Sequence, residues 1–370
     1  MTLAEMAEEL GLSARTVSSV VNGKAKERRI SKATAERVRQ YLDLKGFVPS
    51  LNATRMRKSP DGLIGILHSG GLAGHQAKAF EMLLDRLDGT ADRPMEVRLV
   101  RQDRFPEGLR DMVARGVSKV VWIQRGHPER ELLGRDDITG FLGRVQLIIQ
   151  NFLFSRSRNE HGLTSRGVHL VGVDRQKGYE VLASRIAALG HRCVLLPQLD
   201  SYGFATRFMV GGMRAVGIRL ASCPGFVSKG DLALDAEALV EPVMRSMQQD
   251  GATVVCMGSD DSAAHLMGAL LRRGIRVPGD ISVTGFEGLE FGASLVPALT
   301  TLSMPVAAMV ERVCNIVAGE AKRHRHCFDL ELVERDSLGP APRRLSRSGR
   351  TRASSRSGKR HTGSERAGNE

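Results

Sequence analysis

Residues 253–288 read TVVCMGSDDSAAHLMGALLRRGIRVPGDISVTGFEG. A β-rich run at 253–257, an amphipathic stretch at 262–273 and a second β-rich run at 281–285 make one strand–helix–strand unit. The same rhythm recurs outward from it. Further β-rich runs lie at 63–67, 96–100, 119–123, 145–150, 169–173 and 193–196, with helical patterns at 77–87, 178–189, 206–216 and 236–249. Such alternation predicts parallel sheets with helices on both faces, and the number of strands suits two doubly wound lobes better than one. Composition agrees. Apolar residues are 42% of the 370, aromatic ones only 4%, so the core is aliphatic, as suits helices packed on a parallel sheet.

The first sixty residues follow another pattern. Leu3, Met6, Ala7 and Leu10 repeat at helical spacing, with Thr2 as a cap and Gly11 as the stop. Ser13 then caps a second helix whose inner face is Val17, Val20 and Val21 and whose outer face is Ala14, Arg15, Ser18, Ser19 and Asn22. Two short helices joined at a Gly turn, the second polar outside, form a helix-turn-helix pattern. Hairpins of this size also occur in proteins that bind no DNA. A basic loop at 24–29 leads to Ser31 and a third helix to about Leu44, with Val38, Tyr41 and Leu42 facing in.

Charge is placed unevenly. The net charge is +13, yet residues 1–59 hold 12 Lys/Arg against 6 Asp/Glu and residues 341–370 hold 9 against 2, while the rest hold 33 of each. A basic N-terminal unit suits a phosphate-facing surface. Five widely spaced cysteines without a C-x-x-C suit reduced thiols. The start MTLAEMAEELG has neither a basic nor an apolar leader segment, and no run approaches a membrane span, so a cytoplasmic protein without a membrane partner is expected.

The stretches TLAEMAEELGLSARTVSSVVNG, RISKATAERVRQYLDLKGFVPS and LNATRMRKS resemble the headpiece and hinge of the lactose/galactose-repressor (LacI/GalR) family. The resemblance extends through VGVDRQKGYEVLASRIAALGHRCVLL, SDDSAAHLMGALLRRGIRVPGDISVTGFEG and LVPALTTLSMP, spanning about residues 2–337 and weakest over 70–165. It implies a DNA-binding headpiece at 1–47, a hinge helix or linker at 48–60 and a two-lobed periplasmic-binding-protein-like sensor at 61–338, while the Ser-, Arg-, Gly- and Thr-rich composition without an apolar period predicts a basic, disordered tail at 339–370.

It also implies roles. Ala14, Arg15 and Ser19 occupy groove-reading positions, and Thr2, Ser13, Thr16, Ser18 and Asn22 occupy phosphate-clamping ones. Ser19 stands where the family usually carries Arg, so Arg15 becomes the candidate for a bidentate guanine contact. Met56 takes the place of the family's minor-groove Leu, flanked by Arg55 and Arg57. In the sensor the implied pocket is Ser69, Arg207, Ser259, Asp260, Glu287 and Met304. Ser259, Glu287 and Met304 depart from the family's Asn, Asp and Gln, and Asp260 reads first as a structural hydrogen-bonding residue at a strand end. The expected protein is a regulator, with repression the expected sign, that binds a pseudo-palindromic DNA operator as a homodimer under a carbohydrate effector. An activator, an effector-independent regulator or a cytoplasmic sugar-binding protein are the alternatives.

Other signals carry less. The run 70–74 lacks the Lys-Ser/Thr of a phosphate loop. His324, His326 and Cys327 lack a second cluster to complete a metal site, so no metal or cofactor is expected. No nucleophile accompanies Asp260 and Glu287, so no enzyme is proposed. The tail has no Leu heptads, which favours a dimer.

Overall fold

The computed structural model describes residues 3–21, 24–44, 63–69, 72, 74–88, 95–123, 145–154, 159–197, 203–224, 226–321 and 323–342. Thr2, Asn22, Arg55, Met56 and Arg57 lie outside these residues, as do the hinge and most of the tail.

Three helices form the N-terminal unit: α1 (Leu3–Glu9), α2 (Ala14–Val21) and α3 (Lys32–Leu44). Their shared core is Met6, Ala7, Val17, Val20, Ala25, Ala35 and Val38. Ser13 Oγ accepts from the Thr16 amide at 3.0 Å and Ser31 Oγ from the Thr34 amide at 3.1 Å, so both caps form. Arg37 donates to the Leu10 carbonyl and the Tyr41 hydroxyl to Glu9, tying α3 back to α1 and the turn that follows it.

The first lobe is a six-stranded sheet in the order β11-β5-β4-β3-β1-β2, parallel throughout. Its strands are β1 (Leu63–Ser69), β2 (Met95–Val100), β3 (Val117–Ile123), β4 (Gln146–Phe154), β5 (His169–Asp174) and β11 (Arg325–Asp329). Helices α4 (Gly74–Asp88), α5 (Phe105–Ala114), α6 (Asn159–Thr164) and α11 (Val306–Ala318) pack with it.

The second lobe is also six-stranded, in the order β12-β10-β9-β8-β6-β7, with only the β10–β12 pairing antiparallel. Its strands are β6 (Cys193–Leu196), β7 (Arg219–Ser222), β8 (Val254–Cys256), β9 (Ser282–Glu287), β10 (Thr300–Ser303) and β12 (Glu331–Val333). The accompanying helices are α7 (Arg175–Ala188), α8 (Gly203–Ala215), α9 (Leu232–Gln249) and α10 (Asp260–Arg272). The two doubly wound lobes expected from the strand count are therefore present.

The chain crosses between lobes after β5, after β10 and at Leu330 between β11 and β12. One apolar cluster runs through both lobes, from Ile64 and Val121 to Val254 and Phe286. Helices α7 and α8 pack closely because Gly212 allows it: a Cβ there would lie 2.9 Å from the Tyr179 carbonyl oxygen. The second lobe also holds the first residues of the segment read as a disordered tail. His191 Nε2 donates to the Gly339 carbonyl at 2.8 Å, Ser282 Oγ accepts from the Gly339 amide at 3.2 Å, and the Ala341 amide reaches the Leu189 carbonyl at 2.9 Å. These bonds satisfy backbone groups that would otherwise end unpaired, so order persists past residue 338.

Candidate DNA-facing helix and inter-lobe site

In the headpiece, α2 buries Val17 and Val20 and leaves Ala14 and Arg15 exposed. The Ser13 and Thr16 hydroxyls lie 2.8 Å apart, so both face the start of α2. Ser19 is half-buried and donates to the Arg15 carbonyl at 2.7 Å. Its proton is thus committed to the helix and its oxygen is left as an acceptor. Ser18 is likewise half-buried. The structure groups Ser13, Ala14, Arg15, Thr16, Ser18 and Ser19 on one short helix and its cap.

At the second site, the carboxyl ends of β8, β9 and β10 bring Ser259, Glu287 and Met304 together. Ser259 is the N-cap of α10: its Oγ accepts from the Ser262 amide at 3.2 Å and donates to Ser262 Oγ at 2.9 Å. Asp260 is fully buried, accepting from Thr301 Oγ1 at 2.6 Å and from the Leu289 amide at 2.7 Å. Burial raises its carboxyl above the ordinary range, against the pull of those two bonds. Its Oδ1 lies where a Cβ on Gly285 would sit, so β9 must carry glycine there. Asp260 therefore braces the β9–β10 turn, the structural role favoured for it above. Met304 is buried in the main apolar cluster, and its amide donates to the Glu287 carbonyl at 3.0 Å. Ser69 ends β1 and Arg207 lies in α8; their side chains are outside the described residues.

Glu287 reaches across to the first lobe. Its Oε1 lies 3.0 Å from Nδ1 of His75 at the start of α4, with the two side chains 11% and 5% exposed. Glu287 takes a φ of 122°, a region that L side chains rarely enter, and Gly288 follows at 77°. Gly74, at a φ of 53°, gives the carboxylate its room, since a Cβ there would fall 2.1 Å from Oε2. Nearby, Lys78 Nζ donates to Glu290 Oε1 at 2.5 Å. Asp261 is raised by burial and by the charge of Glu287. Arg175, just past β5, stacks 4.3 Å over the Phe286 ring. His75, Lys78 and Arg175 carry no local sequence signal for these roles, because their partners lie more than a hundred residues away.

Two doubly wound lobes joined by three crossings follow a three-helix unit, so the chain combines a helix-turn-helix with a two-lobed α/β domain. The family described as periplasmic binding protein-like domain matches residues 206–338. The chain is 24% identical to the HTH-type transcriptional repressor PurR of Vibrio atlanticus over 91% of this chain and 98% of that one. It is 23% identical to the HTH-type transcriptional regulator GalS of Salmonella typhimurium, over 91% and 96%. Among solved structures, a LacI-family transcriptional regulator from Silicibacter pomeroyi superposes with a TM-score of 0.67 at 17% identity, covering 92% of this chain and 99% of that one. The lac repressor dimer bound to operator and the anti-inducer ONPF gives 0.62 at 20% identity, over 92% and 99%. Along most of its length the chain is thus similar to HTH-type transcriptional repressors and regulators, and its fold is that of the LacI-family structures.

Proposed function

We propose that this chain is a DNA-binding transcriptional repressor that grips a pseudo-palindromic operator as a homodimer, under a small effector held between its lobes. The observation that carries the reading is α2: its apolar face is spent on the headpiece core, and its capped start presents Ala14 and Arg15 outward. Arg15 contacts a base edge, Ser13, Thr16 and Ser18 position the helix on phosphates, and Ser19 offers an acceptor. Thr2 and Asn22 add phosphate contacts, while Arg55, Met56 and Arg57 enter the minor groove. Full-length relatives named as repressors and regulators support this reading, and so does the basic first segment.

The units are 1–47 for DNA, 48–60 for the hinge, 61–338 for effector and dimer contacts, and a basic end from 339. The effector is a carbohydrate or its derivative, met by Ser69, Arg207, Ser259, Glu287 and Met304, with Asp260 bracing the site. Among the described residues no helix is long and apolar enough to cross a membrane, and no group of His, Cys, Asp or Glu is placed to hold a metal ion. The protein acts in the cytoplasm.

Selection of bound fragments from the source genome, followed by gel shift at moderate salt, tests the proposal. A retained palindromic site, lost or weakened about tenfold or more by Arg15→Ala, is expected, since a good bidentate contact is worth about 1–3 kcal/mol. Failure to retain any fragment specifically overturns it.

A further inference from the structure

The six strands of the first lobe run parallel, so their amino ends, from Leu63 of β1 to Arg325 of β11, lie at one end of the lobe. The chain coming from the helix-turn-helix unit enters the lobe at this end, through β1. β11 is the outer strand on the far side of the sheet, four places from β1. At about 4.8 Å per strand, its start stands about 19 Å from the strand that the headpiece feeds. That span is about five to six base steps of a duplex at about 3.4 Å each.

The start of β11 is basic, reading Arg323-His324-Arg325-His326. The two histidines are half-buried, their rings 4.3 Å and 6.3 Å from that of His169. His326 Nε2 donates to the Arg323 carbonyl at 2.8 Å, which fixes the backbone there. Arg323 and Arg325 are exposed, and the Arg325 guanidinium is held 4.3 Å over the Phe154 ring. Arg312 of α11 is exposed beside them, near enough for its charge to bear on His326. Neither Arg312 nor Arg323 has an ion-pair partner among the described residues, and the neighbouring acids Glu311 and Glu320 pair with neither. Other surface arginines are matched: Arg185 by Glu334, Arg272 by Glu237 and Arg276 by Asp280. Like charges gathered without counterions repel one another, and a polyanion relieves that repulsion. Guanidinium forks suit phosphate oxygens in particular.

We propose that the amino end of β11, with Arg323, Arg325 and Arg312, is a second phosphate-contacting surface, by which the first lobe itself holds the DNA backbone beside the headpiece. Contacts of this kind carry no base information; they add affinity and steepen its dependence on salt. The inference rests on the DNA-binding reading above and extends it from the headpiece to the lobe behind.

The test uses the full-length protein and a fluorescent duplex of random sequence, with affinity read by anisotropy between about 50 and 200 mM KCl. In Arg312→Gln/Arg323→Gln the slope of log affinity against log salt is expected to flatten by about 0.9 for each phosphate contact removed. Arg312→Lys/Arg323→Lys keeps both charges and is expected to keep most of the wild-type slope. The urea midpoint of the Gln variant is expected to match the wild type, because neither side chain has a partner to lose. An unchanged slope in the Gln variant overturns the proposal; if that variant also self-associates, the charges are guards of an open sheet edge. A slope that falls equally in the Lys variant, or only together with the urea midpoint, makes the arginines structural and overturns it as well. A wild type that binds no duplex at all overturns the regulator reading itself, whereas a wild type that binds with the slope of the Gln variant removes this inference alone.

Discussion

Lowering the pH from 7.5 to 5 should unfold this protein's first lobe more easily, and a single imidazole accounts for much of the effect. His169 opens β5 and is 3% exposed. The Gln146 side-chain amide lies 3.1 Å from its Nε2, which therefore accepts and carries no proton. Its Nδ1 is buried without a partner among the described residues, and the His324 ring stands 4.3 Å away with His326 beyond at 6.3 Å. Burial first, then the charges of His324 and His326, push its pKa down to about 4.

In the unfolded chain the group titrates near the ordinary value of about 6.5. Between those two values the unfolded state binds more protons than the folded one, so stability rises with pH. The contribution is complete above about 6.5 and reaches its floor below about 4. Linkage gives a loss of about 2 kcal/mol at pH 5 and about 3 kcal/mol at the floor. Urea midpoints of wild type and His169→Gln, measured at both pH values, isolate the effect of this imidazole and its coupling to its neighbours, because shifted groups remote from it, such as His191 and Asp260, cancel in the comparison. The wild type should lose about 2 kcal/mol more than the variant. Equal losses in the two proteins would refute the reasoning.

Three further outcomes follow from particular contacts. Gly285→Ala places a methyl 2.1 Å from Asp260 Oδ1 and 3.0 Å from Leu299, and should cost about 3 kcal/mol in a thermal or urea melt. His75→Ala leaves the buried Glu287 carboxylate without its cross-lobe partner and should cost about 3 kcal/mol, most of it recovered in the double variant with Glu287→Gln. A double-mutant cycle showing no coupling would remove the bridge as a stabilising contact. Ser13→Ala deletes the cap of α2 and should destabilise the headpiece by about 1 kcal/mol, seen as faster amide exchange at residues 14–17.

Where a segment repeats a period over many residues, the sequence shows its structure plainly. The stretch 262–273 repeats apolar residues at three and four, and α10 buries Ala263, Leu266, Met267 and Leu270. The short strands escape this logic. β12 has three residues and is an antiparallel edge, and β10 is the polar run TTLS, which becomes buried only because Ser337 and Asp260 take up its hydrogen bonds. β11 alternates exposed and half-buried residues and joins the first sheet although it follows most of the second lobe in sequence. Nothing local marks a strand for a distant sheet. Helix α11 is different: Val306, Met309, Val310, Val313, Ile316 and Val317 repeat at helical spacing, a signal that was present and legible.

The site divides along the same line, and the division bears on what the effector must do. Apart from Arg207 in α8, the effector-site residues reached from the sequence lie at or just past strand ends or at a helix cap, because local turn chemistry and family spacing mark such places. What they touch does not follow from spacing. Glu287 stands where a hydroxyl-binding carboxylate is expected, yet its strained backbone and the room left by Gly74 serve an approach to His75, on the other lobe. A ligand seated on that carboxylate must first displace an imidazole, and in doing so would cut a bond between the lobes. On the proposed effector reading, a ligand held by Glu287 and retention of this bridge are opposed. Under the proposed function, linkage would then make operator affinity follow the lobe arrangement that the ligand contacts best.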